Sequence, residues 1–178
     1  MSIFSFSQRL VLLSIIACGA LFAQEFKWAS GMTGNVTANA VATDNSGNSY
    51  VTGSFKETTT FGNTQITPKN PLYHNIFVAK YDANGNFLWV RQAGPQGNGE
   101  NASGTAISVD NSGNCYVTGA FEDTTTFDTI PLIQLQSRGH SDIFVAKYDA
   151  NGNFLWVRQA GGGSPFVNSS DQGTGISV

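Results

Sequence analysis

The feature that most constrains this chain is that it repeats itself. The nineteen residues Ile76 to Gly94, IFVAKYDANGNFLWVRQAG, return unchanged at Ile143 to Gly161, 67 residues on. A second block, DNSGNSYVTG from Asp44 to Gly53, returns as DNSGNCYVTG from Asp110 to Gly119, and Thr58 to Phe61 return as Thr124 to Phe127, both at a spacing of 66. A shared period near 66 makes these blocks parts of one unit, and repeats of such length are each a supersecondary module that buries its apolar surface against its neighbours.

Each unit predicts four strands. Asn39 to Thr43 (again as Thr105 to Val109) leads through Asp-Asn-Ser-Gly-Asn into Tyr50 to Phe55 (again as Tyr116 to Phe121). After a longer connection, Ile76 to Tyr81 and Phe87 to Gln92 flank Asp82-Ala83-Asn84-Gly85-Asn86. Asp and Asn bond their own loop backbone and Gly takes the left-handed conformation, so these are antiparallel hairpins. The 20 glycines and 13 phenylalanines favour many short strands over helices.

Strict alternation puts Phe77, Ala79 and Tyr81 on one face with Ile76 and Val78 on the other, and sets Phe87 and Trp89 opposite Leu88 and Val90. Both faces are apolar, whereas a sheet wetted on one side alternates apolar with polar. Such strands expect cover above and below. Small four-stranded sheets stacked around an axis supply it, so the expected fold class is all-β, β-propeller blades of four antiparallel strands. A β-solenoid or two-sheet sandwich is the alternative.

The sequence GN-x-YVTG-x-F followed by IFVAKYDANGNFLWVRQAG resembles the SBBP (seven-bladed β-propeller) repeats, found mostly in exported bacterial proteins. The resemblance covers nearly all of the chain after its first two dozen residues. It implies a propeller of several blades and, in many relatives, a C-terminal sorting domain. It brings no catalytic residues to transfer.

The ends differ from the repeats. Arg9 precedes an apolar run from Leu10 to Leu21, too short to span a bilayer, followed by Phe22, Ala23 and polar Gln24 and Glu25. This pattern predicts a signal peptide over 1–23, cleaved after Ala23, and a secreted, extracellular or cell-surface location. A lipoprotein signal, with Cys18 as the lipidated first residue of the mature chain, is the alternative. Phe26 to Gly31, with Trp28, echoes Phe87 to Gly94, so 24–33 reads as a lone outer strand whose partners are the earlier strands of the last blade. The first unit then spans 34–100, the second 101–167, and 168–178 begins a third, because Gly173 to Val178 matches Gly104 to Val109. Two whole units and two partial ones cannot close a ring of four or more blades, which predicts a fragment of a longer protein whose missing blades are its first partners.

Chemistry is sparse. A net charge of −3 without clustered Lys and Arg gives no basis for a nucleic-acid partner. Loops beginning at Asp44, Asp82, Asp110 and Asp149 carry oxygen ligands of the kind calcium takes, but the residue eleven beyond Asp82 is Ala93, not the distal Glu of an EF-hand-like site. They read as hairpin turns. Trp28, Trp89 and Trp156 recur at one strand position and read as packing between blades rather than a sugar platform. Cys115 stands where the other unit has Ser49, an ordinary strand position. Glu100, His74, His140, Arg138 and Asp142 are not duplicated but form no nucleophile and base pair, and both histidines read as surface residues. The sequons at Asn35, Asn101 and Asn168 matter only in a eukaryotic secretory pathway. No catalytic, cofactor or metal residue is therefore named, no membrane span is expected in the mature chain, and the ligand-binding residues are left unassigned. The expected function is a non-enzymatic scaffold that presents Lys56 to Asn75 and Glu122 to Asp142, the least alike parts of the repeats, to a protein or glycan. The alternative is a propeller hydrolase or lyase acting on polysaccharide, its active site in other blades.

Overall fold

The computed structural model describes residues 34–68, 70–95, 101–163 and 169–178. The expected signal peptide, the lone strand 24–33 with Trp28, Glu100 and Asn168 lie outside the described residues.

Every described element is a strand. The first unit contains β1 (Val36–Thr43), β2 (Ser49–Phe55), a short pair β3 (Thr59–Phe61) and β4 (Thr64–Ile66), then β5 (Asn75–Tyr81) and β6 (Phe87–Pro95). The second contains β7 (Ala102–Val109), β8 (Cys115–Thr129), β9 (Leu132–Tyr148) and β10 (Phe154–Ala160). Each unit is an antiparallel meander, β1-β2-β5-β6 and β7-β8-β9-β10. Their registers correspond: Ser49 pairs Tyr81 as Cys115 pairs Tyr148. The fold is all-β and propeller-like.

Among the described residues, the two sheets touch edge to edge only where Gly94 pairs Thr126 and Pro95 pairs Thr125. Their main contact is face to face. Tyr50, Ile76, Val78, Trp89 and Ala93 of the first unit share one buried cluster with Val117, Phe144, Ala146, Tyr148 and Val157 of the second. A pair of backbone bonds is worth roughly 1 kcal/mol each, while burying one large apolar side chain contributes about 1.5–3 kcal/mol, so stacking dominates the association. A second cluster lies on the other face of the first unit, where Phe61 and Ile66 of the β3–β4 hairpin join Val51, Phe55, Phe77, Ala79 and Tyr81.

Three expectations are corrected. Phe87 and Trp89 do not share a face: the register slips between Lys80 and Tyr81, so Lys80 opposite Trp89 is followed by Tyr81 opposite Phe87. The bulge at Leu88 sends Trp89 to the inter-unit cluster and Phe87 to the other, and leaves Leu88 48% exposed. The longer connection is not loop throughout: it folds into β3–β4 in the first unit and extends β8 and β9 into one long hairpin in the second, where the threonines of Thr124 to Thr126 suit extended backbone. Cover on both faces holds for the first unit but only partly for the second, whose Tyr116, Ile143, Val145 and Trp156 are half-exposed.

The segment 173–178 begins to cover that second face without forming a strand. Thr105 Oγ1 donates to Gly173 O and Gly173 N donates to Gly119 O at 3.3 Å. One unit earlier, Asn39 Nδ2 donates to Gly104 O at 2.8 Å. The same contact thus recurs at successive interfaces.

Candidate functional site

The four Asp loops close themselves. Asp82 Oδ1 accepts from the N–H groups of Asn84 and Asn86, both at 2.8 Å, and Oδ2 accepts from Asn86 Nδ2 at 2.7 Å. Asp44, Asp110 and Asp149 repeat this scheme at 2.7–3.0 Å. Bonds from Asn86 hold the Asp82 carboxyl below 3.8, and those from Asn114 do the same for Asp110. At Asp44 and Asp149 partial burial pushes upward, but the loop's hydrogen bonds outweigh it. These carboxylates serve as turn closures.

The repeated residues at the interface are likewise committed to the fold. Trp89 Nε1 and Lys80 Nζ donate to Ala150 O at 3.2 and 3.1 Å, and Arg91 Nε donates to Gly152 O at 2.7 Å. Lys80 also lies 4.7 Å above the Tyr50 ring, and Tyr50 Oη is 2.9 Å from Gly113 O. Gly152 has a φ of +79°, and a Cβ there would come within 2.7 Å of the Trp89 ring. Trp89 is therefore an inter-unit anchor, and half-exposed Trp156 packs edge-on to Tyr116 at 6.1 Å. Buried Cys115 is a free thiol pushed up to about 12 by burial.

The unduplicated polar residues are scattered. Arg138 is exposed, and His140 Nε2 faces Glu122 Oε1 at 3.4 Å. His74 departs from the surface reading: its Nδ1 is buried with no partner among the described residues, and burial, then the charge of Lys56, lowers its pKa. Asp142 is fully buried, with Oδ2 accepting from Gln159 Nε2 at 2.5 Å and Oδ1 unpartnered among the described residues. It occupies the place of Asn75, which is 4% exposed and whose Nδ2 donates to Tyr73 O at 3.1 Å.

What the structure brings together is the two variable segments. A cleft of about 770 Å³ lies between the units. Gln65, Ile66 and Thr67 line it from the first variable segment, and Asp128, Thr129 and Ile130 from the second. Its floor is β6 at Val90, Arg91 and Gln92, and Asn153, just before β10, and Phe154, its first residue, contribute as well. The part played by β6 was missed in the sequence, although a signal exists: after the identical segment one unit continues with Pro95 and the other with Gly162.

Stacked four-stranded antiparallel sheets of one sequence pattern, joined through repeated turn loops, define a propeller-like repeat protein. In agreement, the model of the SBBP family, a beta-propeller repeat, matches residues 88–120, from β6 of one unit to β8 of the next. The chain contains a repeat of that family. No curated protein matches it. Among the described residues no helix is long and apolar enough to cross a membrane.

Proposed function

We propose that this chain is a non-enzymatic, secreted or cell-surface β-propeller-repeat scaffold that binds a protein or a glycan through its variable segments. One observation carries the reading: the segments that differ most between units line one cleft, while the duplicated Trp, Lys, Arg and Asp residues are taken up by stacking and turns. Variable walls over a repeated floor are one way recognition is built on a repeat scaffold. The unduplicated polar residues support the non-enzymatic reading, since the side chain of His140 engages Glu122 and that of Asp142 engages Gln159 instead of converging.

The test is a screen of the purified chain against polysaccharides and extracellular proteins, repeated with Gln65→Arg and Asn153→Arg. Binding lost in both variants supports the reading; binding indifferent to both, or cleavage of a polysaccharide, overturns it. For location, residues 1–23 are fused to a reporter lacking its own signal. Export with cleavage after Ala23 is expected, and retention in the cytoplasm would refute it.

A further inference from the structure

Among the described residues, strand β6 is an edge strand for most of its length. It pairs β5 on one side from Phe87 to Ala93, with the slip at Leu88, and on the other meets β8 at Gly94 and Pro95. Beyond Thr126 the two strands part, and the wedge between them is the cleft: Val90 and Gln92 on one wall, Asp128, Thr129 and Ile130 on the other.

The orientation of the β6 backbone follows from two observations. Pro95 has no N–H, so the bonds that tie β6 to β8 run through Gly94. In an antiparallel strand each residue turns its N–H and C=O to the same side and the sides alternate, so Gln92 and Val90 face as Gly94 does. Independently, Val90 O takes a bond from Arg91 Nη1 at 2.9 Å, as it does when turned away from β5. Val157 O and Arg158 Nη1 repeat this at 2.9 Å on β10. An arginine folded back on its own strand blunts an open edge against indiscriminate pairing.

We propose that the cleft-facing edge of β6, at Val90 and Gln92, accepts an extended peptide as an added β-strand, which continues the pairing that β8 starts at Gly94. The proposal rests on the cleft being the recognition site. The incoming strand supplies the N–H that replaces Arg91 at Val90 O, while Arg91 Nε stays on Gly152 O. Main-chain bonds give such a site its affinity and side-chain pockets its preference. A sugar is the poorer fit because the aromatic faces are occupied: Phe127 and Tyr148 are 4% and 2% exposed, and Phe154 packs edge-on to Tyr148 at 5.8 Å.

The probe is a set of dodecapeptides selected from a random displayed library on the whole folded chain, with amide hydrogen exchange as readout. The selected peptides slow exchange at the Val90 and Gln92 amides. Gln92→Pro, which removes the cleft-facing N–H and no bond to β5, weakens binding about tenfold, and Gln92→Ala, which keeps the N–H, binds more tightly than Gln92→Pro. Should Gln92→Pro not fold, protection of the two amides in the unaltered chain decides. A library that yields no binder, or binders without protection at Val90 and Gln92, overturns the proposal. If cellohexaose alone protects the cleft residues, the peptide is wrong and the recognition site stands; if every bound partner leaves the cleft unchanged, both fall.

Discussion

Residues 76–94 and 143–161 have the same nineteen amino acids, the same strand-turn-strand form and different surroundings. In the first copy Ile76, Val78 and Trp89 are 2%, 1% and 9% exposed, because the second unit lies on them. In the second copy Ile143, Val145 and Trp156 are half-exposed. Polar contacts change with burial. Lys80, Trp89 and Arg91 are caught by the loop at Ala150 and Gly152, whereas Lys147 turns to its own unit, 4.6 Å above Tyr116 and 3.8 Å from Asp110. The difference teaches that this face is designed for a neighbour: the sequence supplies the surface, and the adjoining unit supplies its burial.

The sharpest way to break this comparison is to truncate the anchor in each copy. Trp89→Ala should destabilise by about 3–5 kcal/mol, and Trp156→Ala by roughly half that or less, read from denaturant unfolding. Equal losses would mean that the inter-unit face contributes nothing. Val78→Ala should follow at about 2 kcal/mol, with Val145→Ala at about 1 kcal/mol or below, since the half-exposed site leaves no closed cavity.

A smaller effect comes from the one position where the copies differ in chemistry just ahead of the identical segment. Asp142→Asn should stabilise by about 1 kcal/mol, because the amide can donate as Asn75 does, where the carboxylate leaves Oδ1 unpartnered among the described residues. A loss of melting temperature in that variant would show that Asp142 is better satisfied than its geometry indicates.

The smallest effect concerns the loops, where the copies should behave alike. Asp44, Asp82, Asp110 and Asp149 are all held below 3.8, so the unfolded chain takes up protons first as pH falls. Their contribution is complete above the unfolded value and is lost as pH drops through the lower folded values. Melting temperature should therefore fall as pH drops through and below the ordinary carboxylate value of 3.8, and Asp82→Ala and Asp149→Ala should each flatten the profile. A flat profile in the unaltered chain would remove the carboxylates from loop closure.

Much of the fold was legible because its code is local. The Asp-x-x-Gly-Asn loops need only their own backbone and a left-handed glycine, as at Gly85 with a φ of +82°. The bulge at Leu88 was not legible, because period-two alternation contains no signal for a slipped register. For the candidate site, the variable segments were visible as the least alike parts of the repeats, but not the cleft, the open edge of β6 or the long β8–β9 hairpin. Those depend on how one unit sits against the other.

By itself, then, the amino-acid sequence determined the period, which repetition of whole blocks displays, and the antiparallel hairpins, the closed turns and the two apolar faces of the repeated hairpin strands, which are set by groups within a few residues of one another. Only the tertiary structure decided which copy of that surface is dry, which side of the bulge Trp89 takes, and that Lys56 to Asn75 and Glu122 to Asp142 meet along β6. Burial and convergence are relations between residues tens of positions apart, and they come into being only when the two sheets stack.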